Sequence, residues 1–322
     1  MEPLPNGTVL KGRYKIYNII KSSPRTNIYF VKDLHMKNKI WAVREIFITT
    51  DDPQERAMII SRFKNDALIL SALEHPKYAK VIDFFTTEDR LFLVREYAPG
   101  IDLMNILNTS GVPFPQEKAL IVGLQCTEVL EYFYQKGLPK KYYRDIRPQN
   151  VIMNVDGTIK IVDMGISHFY VETSQGLMPQ EAPGIYEPPE TLNEGAEFNE
   201  RTLVYMLGLL LYHLLTRLSP GESPFKLPPV EDVNPTIKRR VRKIVNKAMN
   251  KRTGKRYAYL AIVKKDIKAA LSTPGSKIPA VAWLENEIKR SNPLLLRLGR
   301  LIIFTLLAIL AVYYFLWYAV NR

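Results

Sequence analysis

The sequence predicts an α+β fold of two lobes, a small β-rich N-lobe with one helix and a larger helical C-lobe, followed by one C-terminal membrane-spanning helix. Three observations carry this expectation. Upstream of residue 110 the apolar residues fall mostly into short β-type runs, from about 115 onward they recur at helical spacing, and residues 301–320 form an uncharged stretch of twenty.

The runs at 14–20 (YKIYNII), 27–33 (NIYFVKD), 39–47 (KIWAVREIF) and 90–97 (RLFLVREY) read as strands. One helix interrupts them at about 54–73, and the His75-Pro76 pair stops it, because proline disfavours helical backbone in the residue before it. Helices follow at 116–136, 201–217, about 236–249 and 260–271. Five prolines within 219–235 predict an extended surface loop. The N-lobe is placed at about 10–98 and the C-lobe at about 99–272, with a juxtamembrane linker and helix at 273–300. The stretch LIIFTLLAILAVYYFLWYAV at 301–320 would span roughly 30 Å as a helix, the thickness of a bilayer core. Tyr313, Tyr314, Trp317 and Tyr318 gather near its end, where aromatic rings favour the interface. Lys289, Arg290, Arg297 and Arg300 precede it and only Arg322 follows among charged residues, so the positive-inside bias places the lobes in the cytoplasm.

Composition excludes several classes. At 47% hydrophobic the chain is too apolar to be disordered. Cys126 is the only cysteine, and His35, His75, His168 and His213 are far apart, so disulfide scaffolds and zinc modules are poor readings. MEPLPNGTVLKGRYK lacks the apolar run of a secretory signal. The net charge of +13 is concentrated: between Thr236 and Lys268 thirteen lysines and arginines face one acid, Asp266. A local patch of this kind beside a membrane anchor predicts either contact with an anionic lipid surface or a solvated face of the C-lobe. Nucleic acid is disfavoured as a partner, since no aromatic platform or reading helix accompanies the patch.

The chemistry-bearing residues are Asp145 and Asn150 in YYRDIRPQNVIM and Asp163 in IKIVDMG. Hard oxygen ligands of this type suit magnesium on phosphates. With AVRE at 42–45, Pro188-Pro189-Glu190 and Arg256, the set resembles a protein kinase of the bacterial Ser/Thr type, over roughly 10–272. The resemblance implies ATP and Mg2+ as cofactors, a protein substrate or partner at the membrane, and phosphoryl transfer to Ser or Thr. It gives Asp145 the substrate hydroxyl and its proton, Asn150 and Asp163 the magnesium, and Arg256 an ion pair with Glu190. Arg147 stands at the catalytic-loop lysine and Tyr143 at its histidine. Ile20, Ile28, Ala42 and Ile152 match the positions that sandwich adenine, with hinge backbone from Glu96 to Ala98. Thr173 and Ser174 are the expected self-modified hydroxyls.

The ATP side departs from the family pattern. The three loop glycines fall at Lys21, Ser23 and Thr26, so Lys21 and Arg25 would have to act as charges where backbone amides normally approach phosphate. The strand lysine is Arg44 and its helix acid is Asp66, a longer residue against a shorter one, which predicts that the two pair. Arg95 takes the gatekeeper position and, if buried, needs Asp66 or Asp163 as partner. Pro183 and Leu203 replace a threonine and an aspartate that support the catalytic loop and peptide site. Two functions follow: a weak membrane-tethered Ser/Thr kinase with magnesium-dependent ATP binding, or a catalytically inactive pseudokinase acting as scaffold or nucleotide-binding module.

Overall fold

A computed structural model of the chain describes residues 2–272 apart from 144, 166–185, 187, 193–196 and 221–225. The N-lobe is an antiparallel sheet built from β1 (Val9–Leu10), β2 (Tyr14–Ser22), β3 (Thr26–Asp33), β4 (Lys39–Phe47), β5 (Val81–Thr86) and β6 (Arg90–Glu96), in the order β1-β2-β3-β4-β6-β5. Helix α1 (Pro53–Ser71) interrupts it between β4 and β5. Asp52 caps α1 by accepting from the Gln54 amide, and Pro53 fits the first turn, where its missing N–H is not needed. Ile59, Phe63, Ala67 and Leu70 recur at helical spacing and are buried.

Strand alternation splits the lobe into two cores. Tyr14, Ile16, Tyr29, Val31, Trp41, Val43, Phe92 and Val94 form a cluster on one face. Ile46, Leu91 and Leu93 join the buried face of α1 in a second cluster that runs on into the C-lobe. Within β4 this leaves Ala42, Arg44 and Ile46 on the face opposite Trp41 and Val43.

The C-lobe starts with β7 (Ile101–Asp102), α2 (Leu103–Ser110) and α3 (Gln116–Gln135). Strands β8 (Val151–Met153) and β9 (Ile159–Ile161) pair with β7 in a small antiparallel sheet. The remaining helices are α4 (Glu200–Thr216), α5 (Val230–Val233), α6 (Arg239–Ala248) and α7 (Leu260–Leu271). Asn199 and Thr202 form a reciprocal cap on α4, which is then buried along almost its whole length.

The expected strands and helices lie within a few residues of the observed ones. The loop expected at 219–235 contains α5, a single turn that Pro229 can precede because proline is tolerated at a helix start. No helix among the described residues is long and apolar enough to cross a membrane. The linker at 273–300 and the span expected at 301–320 lie outside the described residues, as do Thr173, Ser174 and Pro183.

Candidate active site

Strand register brings the first charged groups together. On β4 and β6, Ala42 stands opposite Arg95 and Arg44 opposite Leu93, so Arg44 and Arg95 are diagonal neighbours on one face. Ile28 on β3 lies opposite Arg44. From the C-lobe, β9 delivers Asp163 two residues after its end, and the Val162 amide donates to the Asn150 carbonyl at 2.8 Å, which ties this segment to the catalytic loop.

The three meet in the interior. Arg95 donates from Nε to Asp163 Oδ1 at 2.7 Å and from Nη2 to Oδ2 at 3.3 Å. Arg44 Nη2 donates to the same Oδ2 at 2.7 Å. A third bond, from Arg95 Nη1, reaches the Glu96 carbonyl at 3.2 Å, inside the hinge that the resemblance assigns to adenine. Burial alone would raise the Asp163 carboxyl, but the guanidinium of Arg44, then that of Arg95, overcomes it and holds the group below the usual carboxylate range. Asp163 also takes a left-handed backbone, φ 57°, a sparsely populated region for a residue with a side chain.

Two residues later Gly165, with φ 73°, lies against the Tyr142 ring, where an added Cβ would stand 2.4 Å from a ring carbon. Tyr142 in turn donates from its hydroxyl to Asp66 Oδ1 at 2.6 Å, and Lys141 Nζ reaches the same oxygen at 2.6 Å. Arg44 is drawn to the carboxylate that Arg95 also holds, and Asp66 is met from below by donors of the C-lobe. Neither Lys141 nor Tyr142 carries a sequence signal for that role.

The catalytic loop is compact. Asp145 is buried, Arg147 Nη2 stands 3.8 Å from its Oδ1, and Asn150 Nδ2 donates to the Asp145 carbonyl at 3.1 Å. Asp145, Arg147 and Asn150 therefore share one turn. Tyr143 and Leu203 are both buried in the apolar core, so neither supplies the polar support that histidine and aspartate would give at those positions. The Tyr143 hydroxyl has no hydrogen-bond partner among the described residues.

Of the adenine positions, Ile28, Ala42 and Ala98 are buried, Ile152 packs on Ala98 and Val162, and Ile20 is half exposed. The Glu96 side chain pairs with Lys160. Lys21 is exposed, and its charge acts on Asp102, the residue that caps α2. The β2–β3 turn is tight: the Ser23 amide donates to the Thr26 carbonyl at 2.9 Å, and the Phe47 amide to the Arg25 carbonyl at 3.1 Å. This pins to the sheet a loop that in a glycine-rich version would lie free over phosphates.

Magnesium demands near-octahedral oxygen ligands. Both oxygens of Asp163 already accept from guanidinium groups, so the residues present do not fit a magnesium ion without displacing Arg95, Arg44 or both.

Far from the cleft, Arg256 grips Glu190 with two bonds of 2.6 and 2.7 Å, as the resemblance implies. Nearby, the Tyr186 hydroxyl is hydrogen-bonded to His213 Nδ1, and burial lowers the His213 pKa to about 4.

A two-lobed fold with a hinge, a catalytic loop and a carboxylate facing the strand cation defines the class of phosphotransferase-like folds that close around a nucleotide. The chain belongs to the protein kinase family: the family described as protein kinase domain matches residues 28–270. It is 27% identical over 276 residues to the serine/threonine-protein kinase PrkC of Bacillus subtilis, covering 82% of this chain and 41% of that protein. It is also 27% identical over 291 residues to a probable serine/threonine-protein kinase of Clostridium perfringens, covering 84% and 41%. The chain thus spans about two fifths of the length of these relatives. The kinase domain of Mycobacterium tuberculosis PknI shares the fold, with a TM-score of 0.64 at 22% identity over 83% of this chain and 99% of that one. Members of this family in general use ATP and a divalent metal.

Proposed function

We propose that the chain is a kinase-fold module that does not depend on magnesium and works by binding other proteins, with the apolar stretch at 301–320 as its membrane tether. The observation that carries this reading is the double clamp on Asp163. Arg95 and Arg44 supply, as fixed side chains, the positive charge that a metal would bring to that carboxylate. The pinned β2–β3 turn and the hinge carbonyl taken by Arg95 agree with it.

A weak Ser/Thr kinase is the second reading. It is favoured by Asp145 and Asn150 standing in one compact loop joined to the Asp163 segment. Nucleotide binding and radiolabel transfer from ATP, measured on the full chain with and without magnesium or manganese, separate the two. The proposal expects no label, and a nucleotide affinity that does not rise with metal, whereas Arg95→Met restores a metal-dependent rise. Label in the wild type that vanishes in Asp145→Asn would establish the kinase instead.

A further inference from the structure

Helix α6 divides its surface cleanly. Val241, Ile244, Val245 and Ala248 are buried, while Arg239, Arg240, Lys243 and Lys247 face solvent. The first turn is basic, with no acid where the helix dipole would favour one. Charge placed against the dipole does not serve the helix itself, so its use lies outside it.

The outer face opens on a concavity of about 890 Å³ lined by Glu231, Arg239, Arg242, Lys243, Asn246, Lys247, Asn250 and Lys255. Some of the lining is spoken for within the fold. Arg242 donates to the carbonyls of Ile237 and Pro235, Asn246 donates to Glu231 at 2.7 Å, and Lys247 lies 4.1 Å from the centre of the Tyr257 ring. Arg239, Lys243 and Lys255 are exposed and make no ion pair among the described residues. Glu231 is the one acid in the lining, and its hydrogen bond to Asn246 leaves the basic character of the groove dominant.

We propose that this groove docks an extended, carboxylate-rich segment of a protein partner. Arg239, Lys243 and Lys247 follow one another at four-residue intervals, about 6 Å apart along the helix. Side chains at alternate positions of an extended strand recur at about 6.6–6.8 Å, so acids at every second residue meet successive cations. A single phosphate would engage only one turn of this row. A flat bilayer surface meets the rim of a concavity rather than its walls. Nucleic acid is not served either, since no aromatic side chain lines the groove for a base to stack on. Among the walls, Asn250 also accepts from Arg256 through its carbonyl, at 2.7 Å. An occupied groove is therefore one residue away from the Arg256–Glu190 pair. The inference stands on the groove alone and holds whether or not the cleft transfers phosphate.

The test uses the full chain in neutral detergent and a fluorescent peptide carrying three glutamates at alternate positions between serines. Binding read by fluorescence anisotropy is expected at low salt and is expected to weaken as salt rises. Arg239→Gln with Lys243→Gln, both on the exposed face, is expected to weaken it at least tenfold. Lys15→Gln with Lys37→Gln removes the same charge from the exposed N-lobe surface and is expected to leave it within twofold. Absence of peptide binding at low salt overturns the proposal, and so does an equal loss in the N-lobe control. It also falls if the groove variant keeps the peptide but loses binding to phosphatidylserine vesicles, which would make the groove a lipid site.

Discussion

Two arginine–carboxylate sites in this molecule use the same chemistry to opposite ends. At the C-lobe site one arginine serves one acid: Arg256 holds Glu190 bidentately, donates to the carbonyls of Asn250 and Arg201, and lies 4.5 Å from the centre of the Tyr205 ring. That site is neutral and satisfied. In the cleft, two arginines share one acid. The first site anchors a segment of chain. The second keeps its carboxylate supplied with cations, and the difference shows that a retained family ion pair can coexist with an altered cleft in one chain.

The comparison can be broken most forcefully at the anchor. Arg256→Met leaves Glu190 without its guanidinium and is expected to cost about 3–5 kcal/mol of stability in denaturant unfolding. Arg95→Met leaves Asp163 still held by Arg44, so about 1–3 kcal/mol is expected. Equal losses would mean that the two sites are alike.

Acid should separate the regions next. His213 has a folded pKa lowered to about 4, so between about pH 6.5 and 4 the unfolded chain binds more protons and stability falls as pH falls, by about 3 kcal/mol at most. Asp163 acts in another window. Its depressed pKa contributes stability that is complete above the ordinary carboxylate range and is lost only as pH drops through its folded value. Unfolding followed from pH 7 to 4 should therefore show a loss that His213→Gln removes, while Arg95→Met leaves the slope unchanged.

The smallest expected effect belongs to one of two adjacent tyrosines. Tyr142→Phe removes a hydrogen bond to the Asp66 carboxylate and should cost about 1.5–3 kcal/mol. Tyr143→Phe removes a buried hydroxyl without a partner among the described residues and should be neutral or slightly stabilising. Thermal unfolding of both variants checks the contrast.

Much of this architecture is legible in the sequence, for reasons that particular residues make plain. The strand at 39–47 stands out as a short run rich in β-branched and aromatic residues, and α1 shows helical spacing between a capping aspartate and a proline stop. Strands β8 and β9 hold three residues each, too few for a period to appear, and α2 is only eight residues long. In the site, Arg95 is recognisable as a buried arginine in need of an acid, because it interrupts an apolar strand. Which acid it takes depends on register and on where β9 ends, and both are tertiary facts. The length argument for Arg44 and Asp66 weighs two side chains against each other and is blind to Lys141 and Tyr142, which arrive from a different part of the chain. A buried Glu45 held by Asn27, Tyr29 and Arg90 escapes sequence reading for the same reason.

The attachment of Asp66 to Lys141 and Tyr142 changes what counts as a lobe. Helix α1 is threaded through the N-lobe by sequence, yet its acid is held by C-lobe donors. Its apolar face also belongs to the cluster that continues through the C-lobe helices, while the far face of the sheet keeps a core of its own. In a cooperative unfolding unit, membership follows shared burial rather than chain position. Backbone amides of α1 are then expected to exchange with solvent on the schedule of the C-lobe, and the outer layer of the sheet to open without carrying the helix along.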